Sequence, residues 1–180
     1  MMLVSARVTD GLESKLADIR ALILEGARDP DIGRLAQSIL RQNGPALVSR
    51  ADPRSVGEAL FRWQKQHIAF AWDPGPGQTA EFPGASLAGP LDLIQNAGAT
   101  LERMAGDCVA QAILMGSLCR AVGLPVQIGL QDTQGLGVDH VLLLVGMPAA
   151  APQIWLPMDL TQEEPGQLRA AHGSVQVVPV

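Results

Sequence analysis

The sequence predicts an α+β domain in which an apolar helix packs on an antiparallel sheet. A helical apolar run from Cys108 to about Gly123 is followed by consecutive strand-like runs with no helix between them. Before it, the chain reads as amphipathic helices separated by proline-containing breaks. With 180 residues and 47% hydrophobic content, the chain suits one well-buried core and is short for two. A single domain over 1–180 is therefore expected, with a mainly helical scaffold over 1–72, a Gly/Pro-rich loop over 73–90, and a helix and sheet over 91–180.

The elements follow in order. Residues 2–8 suit a short strand. Asp10, with Glu13 three residues on, is a capping signal for a helix to about residue 27, whose inward stripe is Leu12, Leu16, Ile19 and Ile23. Asp29-Pro30 opens a second helix with Pro at its first position, carrying Ile32, Leu35, Ile39 and Leu40 inward until Asn43-Gly44-Pro45 stops it. Asp52-Pro53 opens a third, through Val56, Leu60, Trp63 and His67 to about Phe70. Eight Gly and Pro residues between Pro74 and Pro90 rule out a long helix or central strand there, and a surface loop or a flap beside a groove is expected. A short helix covers about Thr100 to Met104, and the helix from Cys108 ends at Gly123 with Pro125 just beyond. Strands then follow at 125–130, at 139–145 with an apolar run that implies burial on both faces, at 153–159 and at 174–180.

Composition excludes several functions. A net charge of -5 with dispersed Lys and Arg offers no nucleic-acid footprint. The longest apolar stretch, Val141 to Val145, is far below the roughly 20 residues a membrane helix needs. The N-terminus lacks a basic start followed by a long apolar stretch, so no secretory signal is expected and a cytoplasmic location is.

The two cysteines differ by position. In one helix their separation amounts to about 16 Å along the axis at 1.5 Å per residue, too far for a disulfide. Cys119, near the helix end among apolar neighbours, reads as a small buried hydrophobe. Cys108 follows a Gly-Asp turn at the helix start, where unpaired N–H groups favour a thiolate and are expected to lower the thiol pKa.

His140 begins one predicted strand and Asp159 ends the next. If those strands are antiparallel neighbours, the two residues fall on the same edge of the sheet. A thiolate, an imidazole that holds it and protonates a leaving amine, and a carboxylate that orients the imidazole form one chemical set. Asp139 is the weaker orienter, because neighbours on a strand point to opposite faces. His67 reads as a packing residue beside Trp63 and Phe70, and His172 as exposed. A zinc site from Cys108, His140 and Asp159 lacks any paired-ligand spacing, so neither metal nor cofactor is called for.

Gly106-Asp107-Cys108, the helix closing in Leu118-Cys119-Arg120-Ala121-Val122-Gly123-Leu124-Pro125-Val126, Asp139-His140-Val141, and Trp155-Leu156-Pro157-Met158-Asp159-Leu160-Thr161 together resemble the transglutaminase-like cysteine peptidase superfamily of bacterial and phage type. The resemblance covers roughly residues 55–161 in element order. Leu93-Ile94-Gln95-Asn96 with Ala99-Thr100-Leu101-Glu102 is similar to the family's approach to its cysteine. Many relatives carry acidic residues directly after the cysteine, where this chain has Val109 and Ala110. The resemblance implies a papain-like core, with Cys108 as nucleophile, His140 as general base and acid, and Asp159 as orienter. One oxyanion donor would be the Cys108 N–H. Gln95, backed by Trp72, is the candidate for the second.

Two functions are then expected. One is a thiol-dependent amide hydrolase or acyl transferase, foremost a cysteine peptidase, acting on a peptide or protein substrate. The other is a non-catalytic module of a larger assembly such as a phage particle. Location follows the function, cytoplasmic or incorporated in such a particle.

Overall fold

The structure, a computed structural model, describes residues 11–44, 52–71 and 94–180. The expected strand at 2–8, the loop at 73–90, Asp10 and Trp72 lie outside the described residues. Helices α1 (Leu12–Arg28), α2 (Pro30–Gln42) and α3 (Pro53–His67) come first. After strand β1 (Ala69–Phe70) come α4 (Ala97–Arg103), β2 (Ala105–Gly106) and α5 (Cys108–Ala121). Strands β3 (Val126–Gln131), β4 (His140–Met147), β5 (Ile154–Met158) and β6 (Gln176–Pro179) follow.

The local signals act through visible hydrogen bonds. Asp29 and Asp52 cap α2 and α3 by accepting from the N–H groups of Asp31 and Ser55, with Pro30 and Pro53 in the first turn. Helix α1 starts instead from Gly11 with no side-chain cap. Its buried stripe is Lys15, Ile19, Leu22, Ile23 and Gly26, while Leu12 and Leu16 pack only partly against the core. Helix α3 ends at His67, short of the expected Phe70. Ile68 turns extended, and Ala69 and Phe70 pair in parallel with Ala105 and Gly106. His67 is exposed and stacks on the Trp63 ring at 4.7 Å.

Helix α5 organises the domain. Every residue from Val109 to Cys119 is buried, so it has no solvent face and serves as the core itself. Helix α1 lies so close that a Cβ on Gly116 would stand 2.9 Å from Ile23 Cδ1. Ser117 adds a polar tie, its hydroxyl donating to the carbonyls of Ile113 at 2.7 Å and Ile23 at 3.4 Å. The other side of α5 faces a four-stranded antiparallel sheet of order β5-β4-β3-β6. Central strand β4 is buried from His140 through Gly146, as its unbroken apolar run predicts. The expected α+β arrangement, a cysteine-bearing helix on an antiparallel sheet with N-terminal helices, is the one observed.

Candidate active site

Cys108 is the first residue of α5, and Asp107 caps that helix by accepting the Ala110 N–H at 2.8 Å. This cap changes the electrostatics expected from the sequence. The thiol pKa is not lowered but pushed up to about 12, first by burial of the sulfur and then by the Asp107 carboxylate beside it. The residue as a whole is half-buried, but protein encloses the sulfur, which accepts from the backbone N–H groups of Val141 and Val109. Those donors pull the pKa down without offsetting burial. The favourable field of the helix start is outweighed here by desolvation and by the cap's own charge.

His140 begins β4 and Asp159 stands one residue beyond β5. Leu143 faces Met158 across these strands, so continuing the register sets Asp159 opposite Leu142, on the face of the sheet that His140 shares. Both side chains are buried, and His140 Nε2 stands 3.0 Å from Asp159 Oδ2. That distance is within hydrogen-bond reach, although the ring N–H is not aligned on the oxygen as a full hydrogen bond requires. The other carboxylate oxygen is fixed, since Thr161 donates to Oδ1 from its backbone N–H at 3.0 Å and its hydroxyl at 2.7 Å. Burial drives the Asp159 carboxyl upward. The imidazole and the Thr161 donors outweigh that effect and hold it below its ordinary value.

Cys108, His140 and Asp159 line one small cavity together with Phe70, Gln111 and Thr161. It leaves room for about one water. Sulfur, imidazole and carboxylate thus line a single small cavity, and the sulfur rests on the N–H of the residue after His140. Such a set can pass a proton from sulfur through the imidazole to a bound group.

Other candidates fall elsewhere. Asp139 turns into the preceding loop, where its carboxylate accepts from the Thr133 N–H and hydroxyl, both at 2.7 Å. Gln95 is buried just before Asn96, the cap of α4, and is not among the residues lining this cavity. His172 is exposed. Among the described residues no cluster of three or more His, Cys, Asp and Glu is arranged to hold a metal, and no helix is long and apolar enough to cross a membrane.

Two contributors went unassigned at the sequence level. Thr161 was legible in principle, because a Thr two residues after an Asp is a turn pattern in which hydroxyl and N–H fold back on the carboxylate. Gln111, one turn along α5 from Cys108, carried no signal that distinguishes it from a surface glutamine.

No protein-family model and no curated protein matches the sequence. Solved structures do. A proposed cysteine protease from Cytophaga hutchinsonii aligns over 89% of this chain and 53% of its own length, at 16% identity and a TM-score of 0.51. A proposed protease from Parabacteroides distasonis aligns over 84% of this chain and 30% of its own length, at 11% identity and a TM-score of 0.52. A TGase aligns over 87% of this chain and 40% of its own, at 14% identity and a TM-score of 0.47. This chain thus spans about half of the first protein and less than a third of the second. At these identities the likeness establishes the fold: the chain has the α+β architecture of the first two proteins, in keeping with the papain-like, transglutaminase-like core implied by its motifs.

Proposed function

We propose that the chain is a thiol-dependent amide hydrolase or acyl transferase, foremost a cysteine peptidase, with Cys108 as nucleophile, His140 as general base and acid, and Asp159 as orienter. The observation that carries this reading is the buried 3.0 Å contact between His140 Nε2 and Asp159 Oδ2, made at the cavity that Cys108 also lines. In the reaction, His140 takes the thiol proton and the sulfur attacks a substrate carbonyl carbon. The carbonyl oxygen becomes negative, and the Cys108 N–H is one donor for it. The C–N bond then breaks, the imidazolium gives its proton to the departing amine, and an acyl-thioester remains. Water or a second amine, deprotonated by His140, attacks the thioester and the thiol is restored.

The raised thiol pKa is compatible with this order of events, because a thiol that rests protonated needs the imidazole at the moment of attack. The test is labelling with iodoacetamide at mildly acidic pH and with a thiol-directed epoxide, mapped by peptide mass. Cys108 is expected to react well before Cys119, and His140→Ala to remove the preference. Equal, slow labelling of both cysteines in the wild type sinks the proposal.

A second reading, a non-catalytic module of a larger assembly, draws support from the same cavity, which leaves room for about one water around a thiol pushed up to about 12. It predicts that Cys108→Ala leaves the biological role of the chain intact, whereas the catalytic reading predicts its loss.

A further inference from the structure

We infer that Gln111 is a positioning residue for the nucleophile, holding the strand-to-helix corner on which Cys108 sits. This rests on the reading of Cys108 as nucleophile. Gln111 is almost fully buried and lines the cavity one helical turn beyond Cys108. Its side-chain amide donates to the carbonyl of Gly106 at 3.3 Å and of Ala69 at 3.5 Å. Those carbonyls belong to β2 and β1, the parallel pair directly ahead of α5. One amide group thus joins the helix, the strand leading into Cys108 and the strand carrying Phe70 at the cavity wall.

β1 and β2 are two residues each, joined by the Ala69 N–H donating to Met104 at 2.9 Å and the Ala71 N–H donating to Gly106 at 3.0 Å. Gly106 cannot tolerate a side chain, since its Cβ would lie 2.6 Å from that of Ala110, so packing there depends on the backbone path. Gln111 is itself gripped from α3. The Gln64 side chain, fully buried, donates to the Gln111 carbonyl at 2.9 Å, across 47 residues of sequence. Two buried amides in series therefore tie α3 to α5 and α5 to the Gly106 corner. The rotation of the peptides from Gly106 to Cys108 sets where the sulfur and the Cys108 N–H point, and an error of about 1 Å at a reacting group can cost on the order of a hundredfold in rate.

The experiment follows Cys108 labelling by iodoacetamide, and turnover of a fluorogenic peptide amide, in the wild type, Gln111→Met, Gln111→Glu and His140→Ala, with Cys119 labelling as internal reference. Gln111→Met keeps the volume and removes both donors. It is expected to slow Cys108 labelling about tenfold or more while Cys119 labelling and the circular dichroism spectrum stay unchanged. Gln111→Glu carries an O–H donor only while protonated, so its labelling rate relative to wild type is expected to fall as pH rises through the titration of the new carboxyl. Cys119 labelling, followed over the same pH range and expected to stay unchanged, separates this loss from general unfolding. Wild-type labelling in Gln111→Met with a flat ratio in Gln111→Glu overturns the positioning role while leaving Cys108 as nucleophile. If wild-type Cys108 is no faster than Cys119 and His140→Ala changes nothing, the catalytic reading fails and this role falls with it. Should neither variant fold, exchange of the Gln111 side-chain amide protons in the wild type decides. Slow exchange is expected, and exchange at the rate of an exposed glutamine overturns the proposal.

Discussion

His140 Nε2 and Asp159 Oδ2 lie 3.0 Å apart with both side chains buried, while Thr161 fixes the other oxygen of the same carboxylate. The contact is a consequence of topology. Two antiparallel neighbours bring the start of one strand and the end of the next to a common edge, and only a buried edge keeps water from separating the pair. If the carboxylate orients the imidazole, Asp159→Asn preserves shape and offers the ring a neutral amide in place of a carboxylate. Turnover of an amide substrate is then expected to fall by about two to four orders of magnitude. Retention of wild-type turnover by Asp159→Asn would remove Asp159 from the mechanism.

Thr161 tests the same geometry more gently. Thr161→Val removes the hydroxyl bond to Asp159 Oδ1 and keeps the backbone one. The expected loss is about 1 kcal/mol of stability, the usual net value of such a bond, with a several-fold drop in turnover. Urea denaturation measures the first and initial rates the second. Unchanged turnover in a variant that has lost stability would show that Thr161 supports the fold and not the site.

The legible parts of this chain are those written in local chemistry. Asp29-Pro30 and Asp52-Pro53 announce two helix starts because cap and first turn are adjacent residues. The apolar run at 141–145 announces a buried strand for the same reason. The β1–β2 pair was not legible, since two residues give no periodicity and their partner lies 36 positions away (Ala69 to Ala105). Nor was the state of Cys108. Its helix start pointed to a low thiol pKa, but burial and the Asp107 charge are properties of the packed site and reverse the direction. Gln111 and Gln64 were silent for a related reason, because a glutamine's role depends on which distant carbonyl it reaches.

The raised thiol predicts an alkaline sensitivity. A group whose folded pKa lies above its unfolded value stabilises the fold in full below the unfolded value, and that stability is lost as pH rises toward the folded one. For Cys108 the window runs from about 8.5, an ordinary thiol, to about 12. Each such thiol contributes a slope of at most about 1.4 kcal/mol per pH unit. Cys119, buried without a polar partner, is raised as well and acts in the same direction. Stability measured by urea denaturation is expected to fall between pH 9 and 11, and less steeply in Cys108→Ser. Asp159 gives the opposite case. Its lowered carboxyl stabilises the fold above about 4, and that contribution is lost as pH falls through its folded value. Equal alkaline slopes for wild type and Cys108→Ser would refute the raised pKa.

The tip of the loop before His140 gathers on the Asp132 carboxylate. Asp132 accepts the backbone N–H groups of Gln134, Gly135, Leu136 and Gly137, with Gly135 and Gly137 at positive φ where a side chain would be strained. Asp132→Ala removes the common acceptor. Amide exchange at those four positions is expected to accelerate about tenfold or more, with residues of β3 and β4 unaffected. If exchange is unchanged, the Asp132 carboxylate does not hold the loop.

The contact between α1 and α5 makes the last prediction. A Cβ on Gly116 would meet Ile23 at 2.9 to 3.0 Å, and Ile23 is fully buried in α1. Overpacking of this kind costs about 1 to 3 kcal/mol, and alanine returns up to about 1 kcal/mol through its helix preference. Gly116→Ala is thus expected to lower the urea midpoint with no change in the slope of the transition. Ile23→Val alone costs about 0.5 to 1.5 kcal/mol by leaving a cavity, but it removes Cδ1, the nearest atom to the new methyl. The double variant is therefore expected to be more stable than the sum of the two single changes allows. Strict additivity, or a Gly116→Ala variant more stable than wild type, would show that the helices are not packed at the separation described.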